Sequence, residues 1–191
     1  LISSIPARLA YGMISLGIFF KVQNTTSSIA IAGLAVGLNG LASALTVGIR
    51  SVFIDRYGLT WPLRILVPSY AALIIFFNYA DGKISLITIS LILGAVAPPI
   101  NLAVRPLWKI VVPERKQRAI FAVDTAVMST AAVIGPVLVT SLALSDSPKS
   151  ALNVCAGAML LGGVALALLK VTRNWIPEKK EPGADHLLKM P

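Results

Sequence analysis

SIAIAGLAVGLNGLASALTVGI, Ser28 to Ile49, runs for 22 residues without a charged side chain. A helix needs about 20 such residues to cross the hydrocarbon core of a bilayer. The stretch does not alternate in polarity, so it does not read as a strand of a membrane barrel. Five more stretches of the same character accompany it: Ile5–Val22, Leu63–Ala80, Ile84–Val104, Ala119–Leu144 and Ser150–Val171. Of the 191 residues, 56 % are apolar and only 13 % charged, whereas a water-soluble domain carries about 25 % charged residues. The expected fold is all-α: a polytopic membrane bundle of six transmembrane helices over residues 1–171. Residues 172–191, rich in Pro, Lys and Glu, read as a polar tail or linker.

The charge sits asymmetrically around these stretches. If the amino end is cytoplasmic, fourteen of the 17 basic residues fall inside, among them Arg8, Arg50, Arg56, Arg64, Arg105, Arg115 and Arg118. Lys21, Lys83 and Lys149 remain outside. The opposite orientation violates the positive-inside rule at every loop, so both termini are expected in the cytoplasm of a multi-pass cell-membrane protein. The net charge of +9 is thereby an orientation signal, with some attraction to anionic membrane lipid. No aromatic-interleaved basic stripe accompanies it, which excludes nucleic acid as a partner. The first stretch has no short apolar core with a small-residue cleavage site and carries Arg8 near its start, so it reads as a permanent span and not as a signal peptide.

Within the stretches, Gly33, Gly37, Gly40, Ala44 and Gly48 recur at steps of three and four in the second span. Such spacing predicts a small-residue face against which a neighbouring backbone can pack. The sixth span repeats it loosely with Ala151, Cys155, Ala158 and Gly162, where the single cysteine is a packing residue. Pro68, Pro98-Pro99 and Gly135-Pro136 interrupt the apolar runs. The Pro98-Pro99 pair, near an end, predicts a kink. Gly135-Pro136 in the fifth span predicts either a static kink or a bend that lets the bundle open and close.

Between the second and third spans lies SVFIDRYGLTWPLR, Ser51 to Arg64. Gly58 permits a tight turn there, and the positive-inside rule gives no reason for an acid at Asp55. The Asp55-Arg56-Tyr57-Gly58 core resembles motif A of the major facilitator superfamily, Gly-x-x-x-Asp-Arg-x-Gly followed by bases. Ser51 replaces the first glycine, and the later base is Arg64. VPERKQRA, Val112 to Ala119, looks like the family's loop between helices 4 and 5. Gly135–Leu138, GPVL, is similar to its motif C, with Val139-Thr140 where twin glycines are expected. Where motif B places a buried arginine, this chain has Ser90.

The resemblance covers the whole chain as the amino-terminal half of a twelve-helix transporter. It implies movement of a small solute by alternating access. It also implies a second six-helix half, either a continuation of the chain or a partner subunit. In the family the motif A cluster is a cytoplasmic latch, which here assigns Asp55, Arg56, Gly58 and Arg64, with Arg105 and Arg118 as candidate gate partners. Asp124, in the first turns of span 5, is expected either to couple ions or, more simply, to pair with Arg118 or Arg115. Polar residues within spans that could line a substrate path are Tyr11, Asn39, Asn101, Ser129 and Thr130. Asn39, mid-span, must bond either a solute or a neighbouring helix.

An enzyme is not expected. The only histidine, His186, lies in the tail, so no Ser–His pair can form within the membrane. The eight acids are dispersed, which leaves no metal cluster, and no cofactor is called for. A non-transporting membrane scaffold is the alternative, since small-residue faces serve assembly equally well.

Overall fold

The computed structural model describes residues 2–173. After a 3-10 turn, Ile2–Ser4, eight helices follow: α1 Ile5–Thr26, α2 Ile29–Tyr57, α3 Thr60–Tyr79, α4 Lys83–Val96, α5 Ile100–Val111, α6 Glu114–Ser145, α7 Pro148–Leu168 and the short α8 Lys170–Arg173. Helices α4 and α5 together form span 4, giving six spans long and apolar enough to cross a membrane. The protein is a helical, multi-pass membrane protein. Just past the expected boundary at residue 171, Thr172 is buried and its carbonyl accepts a hydrogen bond of 3.0 Å from the Thr60 hydroxyl. The rest of the predicted tail, with His186, lies outside the described residues.

Local chemistry sets the helix ends. Ser28 caps α2 by accepting the Ile31 amide, and Ser147 caps α7 by accepting the Ser150 amide. Helices continue well past the apolar stretches. α2 runs on through Arg56 to Tyr57, and α6 begins at Glu114, so ERKQR forms its first turns and is not a loop. The connections at the basic end shrink to Gly58-Leu59 and Val112-Pro113, shorter than their charge content predicts. Lys, Arg, Glu and Gln are good helix formers, and interfacial water hydrates them without ending the helix.

Pro68, Pro106 and Pro136 sit inside unbroken helices. Pro98-Pro99 does more than the expected kink, and it lies well inside span 4, not near its end. Helical geometry is disfavoured for a residue preceding proline, which a single proline in a long helix tolerates, but the pair disfavours it at Ala97 and Pro98 in succession. Ala97 is extended at φ −53°, ψ 123°, and α5 restarts only at Ile100.

Helix α1 is the centre of the bundle and packs on α2, α6 and α7, while α2 pairs with α4 and α3 with α7. Exchanging the first three spans with the last three carries the 1–5 pair onto the 4–2 pair. Both pairs are glycine-mediated. A Cβ on Gly135 would sit 2.6 Å from the Gly12 carbonyl carbon, and one on Gly94 would sit 2.9 Å from that of Asn39. In span 6, Gly162 meets Ala7, and Cys155 donates to the Ala10 carbonyl at 3.3 Å, so that small-residue face is an interface. The stripe in α2 is not one among the described residues. Gly33, Gly37, Gly40 and Gly48 face open space, and α2 packs instead through Ala32, Ala35, Asn39 and Ala42.

Candidate functional site: the cavity at the broken span and the turn below it

The break in span 4 leaves backbone carbonyls without helical partners inside the bundle. In lipid such groups must be satisfied by protein or by enclosed water. Two side chains do this. The Tyr11 hydroxyl donates to the Pro98 carbonyl, and Arg50 Nη1 donates to the Ala97 carbonyl. Arg50 also reaches back along its own helix, Nε to the Thr46 carbonyl at 3.3 Å and Nη2 to the Ser43 hydroxyl at 3.2 Å.

Around the break lies a cavity of about 490 Å³, bounded by α1, α2, Tyr70 of α3, and both sides of the break. Of the expected path residues, Tyr11, Asn39 and Asn101 line it. Asn39 also bonds a neighbouring helix, donating to the Ser90 carbonyl at 2.9 Å. Ser90, where the family's motif B has arginine, is fully buried. Asn101 Oδ1 is buried without a hydrogen-bond partner. Ser129 and Thr130 lie on the exposed face of α6, apart from the cavity.

At the basic end, Asp55, Arg56, Arg64, Arg105 and Arg118 are all exposed, and none forms an ion pair among the described residues. The Arg56 guanidinium rests 5.6 Å from the Tyr57 ring centroid. Asp55 occupies the last turn of α2, where the helix dipole disfavours a negative charge. Gly58 closes the helix at φ 75°, ψ −179°, a backbone region essentially restricted to glycine. Gly58→Ala is therefore expected to destabilise the protein by about 1–3 kcal/mol, read from thermal unfolding in detergent. An unchanged midpoint would mean that the turn relaxes freely.

Asp124 does not pair with Arg118 or Arg115. It is 5 % exposed and faces inward, where its Oδ1 lies 2.8 Å from Arg8 Nη2. Trp108 Nε1 donates to the same oxygen at 3.0 Å, and Arg8 Nη1 donates to the Asp124 carbonyl at 3.3 Å. Two charges in a dry bundle gain far more from pairing than exposed charges do, so the carboxylate takes the buried arginine over two solvated ones. Span 5 runs unbroken through Gly135-Pro136, and Gly135 is the point where α6 meets Gly12 of α1.

Sequence reading missed three participants: Arg50, Arg8 and Trp108. Arg50 reads in the sequence as one of the interior bases, yet a further signal is present. It follows Asn39, Ser43 and Thr46 at helical spacing, on the face that packs toward span 4. Arg8 and Trp108 carried no comparable signal, because their partner is remote in sequence.

No curated protein and no solved structure gives a significant match to this chain. The family model described as Major Facilitator Superfamily matches residues 1–190. With six spans, a broken fourth helix beside a cavity, and an Asp-Arg-x-Gly turn at the basic end, the chain belongs to the major facilitator superfamily of membrane transporters.

Proposed function

We propose that this protein moves a small solute across the cell membrane by alternating access, with the 490 Å³ cavity as part of the solute path. The observation that carries this reading is the cavity's position. It forms where span 4 is interrupted and polar groups collect, as transporters build their sites from discontinuous helices. Both termini lie in the cytoplasm on this reading, by the positive-inside rule. Permease and exporter are both compatible with these features.

A second six-helix half completes the path, whether as a continuation of the chain or as a partner subunit. Two spans have faces suited to it. Only 22 % of the apolar window of α2 and 17 % of that of α6 is buried, against 39 % or more in the other spans. On α2 that open face is the glycine stripe, which favours close helix approach over plain lipid contact. Asp55 fits the same arrangement. An exposed carboxylate at the unfavourable end of its own helix becomes favourable opposite the positive end of another, and the second half can supply one.

The test is solute flux in proteoliposomes with Asp55→Asn. Flux is expected to fall at least tenfold while membrane insertion and thermal stability are unchanged or slightly improved, because the substitution removes an unfavourable helix–charge contact. Wild-type flux in this variant would sink the latch. A stable complex that moves no solute would support the scaffold alternative.

A further inference from the structure

We infer that the cavity at the broken span binds an organic monoanion, such as a small carboxylate, with Arg50 as its counter-charge. The inference rests on the transport reading and names its substrate class. Three observations converge. Arg50 lines the cavity, and no aspartate or glutamate lines it with Arg50. All its hydrogen bonds go to neutral oxygens, those of Ala97, Ser43 and Thr46. An arginine held inside a span is costly unless something compensates its charge, and it marks a solute path by default.

The break adds to the same field. Helix α5 begins at Ile100 within the span, and Ile100, Asn101 and Leu102 of its first turn line the cavity. The Ile100 amide donates to the Pro98 carbonyl at 2.9 Å, but the turn as a whole carries the positive end of the helix, which also favours an anion. Asn101 of the same turn keeps a buried amide oxygen without a hydrogen-bond partner. The remaining wall is mostly apolar and aromatic, with the neutral polar side chains of Ser15, Asn39 and Ser43 among it. Ile14, Val47 and Ile100 contribute, with the rings of Tyr11 and Tyr70 at 6.4 Å between centroids. One fixed positive charge on a mostly apolar wall with a few neutral polar groups fits a singly charged organic acid better than a cation or a multivalent phosphate.

The test uses the full-length protein, purified in detergent, and three ring compounds of one size: benzoate, benzamide and benzylammonium. Calorimetric titration is expected to show benzoate binding at least tenfold tighter than either analogue. Arg50→Gln is expected to abolish that preference, and Arg50→Lys to keep most of it. Arg50→Lys also guards against a folding defect in the glutamine variant, and the wild-type ranking stands without either variant. Equal binding of the three compounds, no binding of benzoate, or a benzoate preference that survives Arg50→Gln would overturn the inference and leave Arg50 as a cap on the broken helix. Proteoliposomes separate this from the transport reading. Flux that prefers a neutral or cationic solute removes the anion site and keeps transport, whereas benzoate binding at Arg50 without any flux does the reverse.

Discussion

Asp124→Leu is expected to lower stability by about 3–5 kcal/mol, because it leaves the Arg8 guanidinium buried with no counter-charge. Both side chains are almost wholly enclosed, at 3 % and 4 % exposure, so water cannot replace the lost partner. Arg8→Met strands the carboxylate and is expected to cost as much. The double variant Arg8→Met, Asp124→Leu removes both charges and is expected to regain most of the loss, since a buried pair is often no more stable than apolar residues of similar size. Trp108→Phe removes one hydrogen bond to a charged group and should cost less, about 1.5–3 kcal/mol. Thermal unfolding of all four variants in one detergent checks the set. Single variants within about 0.5 kcal/mol of wild type would show that the pair is solvated in the native protein. A double variant as unstable as the sum of the singles would show that packing, and not charge, holds spans 1 and 5 together here.

The second large effect concerns the glycines. Gly94→Ala and Gly135→Ala each drive a methyl group into the backbone of a facing helix, of Asn39 in one case and Gly12 in the other. Backbone cannot rotate away as a side chain does, so the two helices must separate, at a cost of at least the 1–3 kcal/mol typical of overpacking (roughly). Loss of the folded protein in either variant is the expected extreme. Gly33→Ala and Gly37→Ala are the internal comparison. Their added methyls meet open space, and alanine is the better helix former by roughly 0.5–1 kcal/mol, so these variants should fold as well as wild type or slightly better. The measurement is the yield of monodisperse protein by size-exclusion chromatography, followed by thermal unfolding. If Gly33→Ala proved as damaging as Gly94→Ala, a partner would already cover the α2 stripe in the purified protein.

These two experiments mark the boundary between what was legible in the chain and what was not. Apolarity is carried by consecutive residues, so the solvent, the number of spans and the end that collects basic residues could be read directly. Backbone-specific residues were nearly as informative. Gly58 announced its turn, and Pro98-Pro99 announced an interruption, although the depth of that break was underestimated because its two proline effects compound.

Pairing was a different matter. A stripe of glycines at helical spacing states that one face is small, but not whether another helix covers it. The same spacing is buried in span 6 and open in α2. Arg8 and Asp124 stand 116 residues apart, and Arg50 meets Ala97 across 47. Nothing local distinguishes Arg8 from the other basic residues, and the polar face that Arg50 shares with Asn39, Ser43 and Thr46 does not say which carbonyl it meets. The sequence by itself determined that lipid is the solvent and that six helices cross it, because both follow from the run of residues along one strand of chain. Only the tertiary structure decided which charges are buried together, which glycines bring helices into contact and where the cavity opens, because burial is a property of facing surfaces and is set when remote helices pack.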